Sequence, residues 1–235
     1  MLAGQNNFLG KITLQILGEL FNITFSAECC LFLCATLLLD EKTGIWKRFK
    51  SFFLYILIAE VVGWYMSDVM GIENNNWVFN ILLIYTGGFT IWILSQADPF
   101  IRTKRKLKKG IILYLLFALT NMAFFEGFRN YNAYTEMILD LIVCYYCCYF
   151  FYKTLEEPEY RNLYRYEFFW LAVGFLFSSL GSAILYIFIS SLTSFSKHTH
   201  IDIYGYINSG LNVVLYSSLI ISFICRRKNT RLSPV

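Results

Sequence analysis

Apolar residues in this chain fall in seven blocks of roughly 20, separated by short segments rich in Lys, Arg, Asn and Glu. About 20 consecutive apolar residues cross a bilayer as a helix. The pattern therefore predicts spans over about 20–39, 51–67, 77–96, 110–125, 134–152, 168–192 and 203–225, with 12–19 as an interfacial extension of the first. The expected fold class is all-α, a seven-transmembrane-helix bundle forming one integral membrane domain over 1–235. No segment between blocks is long enough for a soluble domain. Prolines stand only at 99, 158 and 234, outside every block. That counts against a transporter built on broken helices, leaving Gly87 and Gly88 as a flexible point in the third block.

Charge orients the bundle. Six of the twenty Lys and Arg residues crowd between Arg102 and Lys109, a basic clamp between the third and fourth blocks. The segment before the second block carries Lys42, Lys47, Arg48 and Lys50. Lys153, Arg161 and Arg165 precede the sixth block, and Arg226, Arg227 and Lys228 stop the seventh, with Arg231 beyond. These segments alternate along the chain, so one side takes seventeen cations and the other only Lys11, Arg129 and Lys197. Cytoplasmic loops carry such an excess, so the N-terminus is expected outside and the C-terminus in the cytoplasm. Trp46, Trp64, Trp77 and Trp170, with Phe168 and Phe169, lie near block ends, where amphipathic rings anchor at the interface.

Composition agrees with the pattern. Hydrophobic residues make up 57 % and charged residues 15 %, against roughly 25 % charged in a soluble domain. The seven cysteines, Cys29, Cys30, Cys34, Cys144, Cys147, Cys148 and Cys225, lie in or at the edges of apolar blocks, which argues against a disulfide framework. Only Lys11 precedes the first apolar block and no small-residue cleavage site follows, so that block is expected to stay as a span.

Candidate chemistry lies in polar residues within apolar blocks. An ionisable group at mid-bilayer costs roughly 2.5–3.5 kcal/mol on insertion scales, so it faces the bundle interior, a cavity or a partner. Glu28, Glu60, Glu136 and Asp140 are such groups, with Asn80, Asn121, Asn208 and Asn212 as neutral companions. Glu136 and Asp140, four apart, share a helix face that Cys144 and Cys148 continue. Asn208, Asn212 and Tyr216 form a like stripe. The predicted topology puts Asn80, Asn121, Glu136, Asp140, Asn208 and Asn212 in the outer half of the membrane. These six form a candidate ligand-binding pocket, and Glu28 and Glu60 are ion or proton candidates. The excess of acids over buried cations favours an amine, a metal ion or a proton as ligand. The alternative role is interhelical hydrogen bonding, worth about 0.6–2 kcal/mol per contact.

Other features read as structural. Gly174, Ser178 and Ser182 repeat every four residues, a spacing that lets helices approach closely. His198 and His200, alternating in an outer loop, lack a third ligand and suit a solvated segment better than a metal site. Asn22 to Thr24 forms a glycosylation sequon at the start of a span, where it is discounted.

Several chemistries are excluded by what the blocks lack. The seventh contains no lysine for a retinal Schiff base, and no block contains histidine for the zinc site of seven-span lipid amidohydrolases. Walker A, G-x-S-x-G and H-E-x-x-H sequences are also missing. No catalytic residue, resident metal or cofactor is assigned. Basic residues in short juxtamembrane loops suit anionic headgroups rather than nucleic acid.

Trp77, Val78, Phe79 and Asn80, the run Tyr149–Lys153, and Phe169 and Trp170 with Gly174 and Gly181 resemble the small seven-span proteins of Bacteroidetes-type bacteria. The resemblance covers about residues 50–228 and rests on aromatic and glycine landmarks. It implies a bacterial inner-membrane location and a sensory or accessory role beside signalling proteins, and it brings no functional residues.

Function is accordingly expected to be that of a receptor-like sensory or signalling accessory module in the lipid bilayer. Its outer-half pocket would take a small molecule or cation, and its basic inner loops would meet a cytoplasmic or membrane signalling partner. The alternatives are a small proton- or cation-coupled transporter and a membrane-embedded lipid-modifying enzyme using Glu28, Glu60 or Asp140.

Overall fold

The computed structural model describes residues 23–39, 44–72, 74–97, 104–156, 162–199, 201 and 203–232. These residues form eight α-helices and no strand: α1 Ile23–Leu38, α2 Gly44–Trp64, α3 Asn76–Ala97, α4 Lys104–Phe124, α5 Ala133–Glu156, α6 Glu167–Ile187, α7 Ile189–Thr199 and α8 Ile203–Leu232. A π-turn, Tyr65–Val69, closes α2, and a 3-10 turn, Leu163–Arg165, leads into α6. Each predicted block thus contains one main helix, and α7 begins inside the sixth block. Five are long and apolar enough to cross a membrane: α2 with its π-turn, α3, α5, α6 and α8. The apolar parts of α1 and α4 are shorter. Large apolar side chains cover the outside of the helices, among them Leu37, Leu113, Leu116, Leu141, Phe177 and Ile184. Such a surface suits hydrocarbon and not water. The chain is a helical membrane protein.

Charged residues end the apolar blocks without ending the helices. α2 begins at Gly44, so Lys47, Arg48 and Lys50 ride on its first turns instead of a loop. From Lys104 to Lys109 the basic clamp is helical; Arg102 lies outside the described residues. α8 continues through Arg226, Arg227 and Lys228 to Leu232. Lys and Arg are good helix formers whose stems lie along apolar surface while the charges reach water. The predicted sixth span is also cut short. Helix α6 ends at Ile187 and Phe188 breaks it, so 189–199 forms the separate α7. His198 therefore sits on a helix and not in a loop; His200, Asn22 and residues 12–19 lie outside the described residues.

The helices pack so that one end of the bundle is aromatic and the other polar. At the end carrying the α2 and α4 cations, Trp46, Phe49, Phe52 and Phe53 of α2 meet Phe89 of α3, Phe168 of α6 and Phe223 of α8. The Phe52 and Phe89 rings stack 4.1 Å apart, and Phe49 meets Phe223 edge-on at 5.3 Å. Lipid tails compete with apolar side chains for apolar contact, so close packing and ring geometry hold this end together. Trp46, expected at the interface, is only 2 % exposed and lies against Phe168 at 5.4 Å. It belongs to the core because α6 begins directly over it.

Small residues set the other close approaches. A side chain at Gly174 would meet Ser218 Cβ at 2.8 Å, and one at Gly181 would strike Leu211, so these two glycines seat α6 on α8. In α3 the helix runs unbroken through Gly87 and Gly88, which have different environments. The buried Tyr114 ring of α4 rests on Gly87 and donates its hydroxyl to Leu83 O at 3.0 Å, while a Cβ on Gly88 would meet nothing within 4 Å. Gly87→Ala is expected to cost about 2 kcal/mol by displacing Tyr114; Gly88→Ala should not lower stability. Thermal unfolding of the two variants in one detergent checks the contrast.

Candidate functional site

Among the described residues, two groups of polar side chains gather around the carboxylates that the sequence placed within apolar blocks. The larger gathers where α3 starts, α4 ends, α5 starts and α6 ends. Asn76 and Asn80, four apart and on one face of α3, reach the chain joining α4 to α5. Asn76 Nδ2 donates to Arg129 O at 3.2 Å. Asn80 Nδ2 donates to Phe128 O at 3.1 Å and Asn130 O at 2.8 Å, and its Oδ1 accepts the Asn132 N–H at 3.0 Å. Asn80 is fully buried, and its amide is committed to that loop. The loop turns at Gly127, whose φ of 84° lies in the left-handed region open to glycine.

Asn121, buried on the last turns of α4, donates Nδ2 to Glu126 and, at 3.0 Å, to Thr135 Oγ1. Glu126 in turn accepts the Tyr134 N–H at 3.3 and 3.2 Å, placing a carboxylate at the N-terminus of α5, where the helix dipole favours it. One turn on, Glu136 Oε2 accepts hydrogen bonds from both Tyr131 and Tyr186, whose hydroxyls lie 3.2 Å apart. A loop residue, α5 and α6 thus meet at a single carboxylate oxygen. Asp140, on the next turn, is 6 % exposed and lies near Ser179 of α6, and its Oδ2 has no hydrogen-bond partner. Neither Glu136 nor Asp140 is paired with a cationic side chain among the described residues.

Four of the six predicted pocket residues, Asn80, Asn121, Glu136 and Asp140, therefore belong to one polar end. Asn208 and Asn212 are half-buried on α8 and take no part in these bonds. Tyr131, Asn132, Thr135, Ser179 and Tyr186 belong to the cluster although the sequence did not single them out. A tyrosine in an apolar block reads as packing, and one in a loop reads as surface. The only signal available was Glu136 itself, a carboxylate in need of donors.

The smaller group joins α1, α2 and α8. Tyr216 of α8 donates its hydroxyl to Glu28 Oε1 at 2.8 Å, while Glu28 is 6 % exposed and its Oε2 has no partner. Glu60 of α2, half-buried, is close enough to act electrostatically on both Glu28 and Tyr216. Among the described residues no cluster of three or more His, Cys, Asp and Glu has a metal-holding arrangement.

No family model, curated protein or solved structure matches this chain.

Proposed function

We propose that the chain is a seven-span protein of a bacterial inner membrane, N-terminus outside and C-terminus in the cytoplasm, acting as a receptor-like sensory or signalling accessory module. The observation that carries this reading is the convergence of loop, α5 and α6 on Glu136, beside the buried Asp140, whose Oδ2 has no partner. A ligand supplying positive charge there would complete two carboxylates and at once pull on the α4–α5 loop and on α6. α6 is the helix whose other end is tied to α8 and its cytoplasmic cations. A small amine or inorganic cation is the matching ligand chemistry, and the basic ends of α2, α4 and α8 are the surface for an acidic partner.

The test is the double variant Glu136→Gln with Asp140→Asn, purified in detergent beside the wild type. Thermal unfolding is followed against choline, spermidine and a series of mono- and divalent cations. Stabilisation of the wild type by at least one probe, lost in the double variant, is the expected result. Equal response of the two proteins would refute a ligand at this end of the bundle.

The second reading, a small proton- or cation-coupled carrier, is favoured by one separate observation: Glu28, its Oε2 unpartnered, and Glu60 lie on different helices within electrostatic reach of each other. It predicts pH-dependent flux in liposomes that disappears in Glu60→Gln or Asp140→Asn. Unchanged flux in both variants would remove it.

A further inference from the structure

Along the outside of α2, α3 and α4 runs a groove of about 560 Å³. Its floor is apolar and aromatic, made chiefly by Tyr55, Tyr85, Gly88, Phe89 and Trp92, and Arg48 closes one end. Three features give it a direction. Arg48 lies on the second turn of α2 and Trp92 near the end of α3, both at the basic end of the bundle. From Arg48 to Tyr55 the α-helical rise covers about 10 Å, and from Trp92 back to Ile81 about 16 Å. One leaflet of hydrocarbon is about 15 Å deep. The groove thus starts where headgroups lie and ends near mid-membrane.

The charged end is prepared for an anion. The Arg48 guanidinium stands 4.7 Å from the centre of the Trp92 ring. Stacking on an aromatic face leaves the edge of the guanidinium, where its N–H donors lie, free for bidentate phosphate recognition. Among the described residues no carboxylate engages Arg48. Lys47, also exposed, precedes it on α2, and exposed Lys109 follows the basic start of α4. Gly88 keeps the groove open halfway along, since a side chain there would project into unfilled space while its neighbour Gly87 is covered by Tyr114.

We propose that this groove holds one acyl chain of an anionic phospholipid from the leaflet at the basic end, with the headgroup phosphate on Arg48. The length of the groove, its apolar floor and the single cation at its interfacial end match that molecule, whereas a peptide would leave the deeper half unfilled by polar contacts. The inference rests on the membrane reading of the bundle and is independent of any ligand at Glu136.

Native mass spectrometry of protein released from an equal mixture of phosphatidylglycerol and phosphatidylcholine tests it. The wild type should retain one phosphatidylglycerol with a preference of about fivefold, the worth of one interfacial arginine. Arg48→Gln should bring the two lipids to equal retention. Gly88→Leu, which fills the groove, should lower retention of both. Phosphatidylglycerol with brominated acyl chains should quench wild-type tryptophan fluorescence more than Trp92→Phe fluorescence. Arg48 is exposed and outside the core, so its substitution leaves the bundle able to fold and the comparison holds whatever Gly88→Leu does. Equal retention of the two lipids by the wild type, or an unchanged preference in Arg48→Gln, would overturn the proposal. Displacement of the lipid by soluble glycerol phosphate would overturn its acyl part.

Discussion

Glu167→Ala should destabilise the protein by about 3 kcal/mol, among the largest losses of any single substitution, although Glu167 lies at a helix end. Its carboxylate is 8 % exposed and bridges the start of α6 to the end of α8. Arg226 Nη1 donates to Oε1 at 3.1 Å, and Asn229 Nδ2 donates to Oε2 at 2.7 Å. The same junction is fastened by Ser222 Oγ donating to Glu167 O at 2.7 Å and by Asn229 Nδ2 donating to Arg165 O at 3.0 Å. Arg226 also stands 5.7 Å from the Trp46 ring, linking the clamp to the aromatic core. Removing one partner of a buried pair costs about 3–5 kcal/mol because the other charge is stranded. The lower figure applies because the Arg226 side chain is 28 % exposed and recovers some hydration. The double variant Glu167→Ala with Arg226→Met should recover part of the loss. Thermal or denaturant unfolding in detergent measures both; a change under about 1 kcal/mol, the value of an exposed pair, would contradict the buried-clamp account.

Asn80→Leu is the second large effect, expected at about 3 kcal/mol. Leucine keeps the branched shape of asparagine but withdraws three hydrogen bonds from the α4–α5 loop. Each polar backbone group left without a partner away from water costs about 1–3 kcal/mol. Phe128 and Asn130 are exposed at the loop surface and regain water, whereas Asn132 is 2 % exposed and its N–H cannot. The loop should loosen as well as the fold. Hydrogen exchange over 126–132 is expected to accelerate beyond the change in global stability, and Asn76→Ala, which removes one bond to Arg129 O, should show a weaker form of the same effect. Uniform acceleration across all helices would mean that Asn80 acts only through packing.

Some of this architecture was legible along the chain. Each apolar block became helical, and five of the helices are long and apolar enough to cross a membrane, because apolar segments in lipid must satisfy every backbone group internally. Glu28, Asn80, Asn121 and Asp140 were singled out as costly polar groups, and all four are buried. The charge clusters were visible too, although they end apolar blocks and not helices: α8 passes through Arg226 to Leu232 because a helix leaving the membrane keeps its own hydrogen bonds in water.

Partners were not legible, because hydrogen bonding across a bundle joins residues that no local period connects. Asn80 meets a loop about fifty positions later, Glu28 meets Tyr216 from the other end of the chain, and Tyr186 reaches Glu136 from the next helix but at its far end. Gly87 and Gly88 look alike in sequence, yet one is covered by Tyr114 and the other opens a groove. What the sequence by itself determined is that this is a helical membrane protein, since hydropathy and block length depend only on neighbouring residues. Only the tertiary structure decided which buried carboxylates are satisfied, which glycine is seated and which ring Arg48 stacks on, because each depends on how distant helices approach in space.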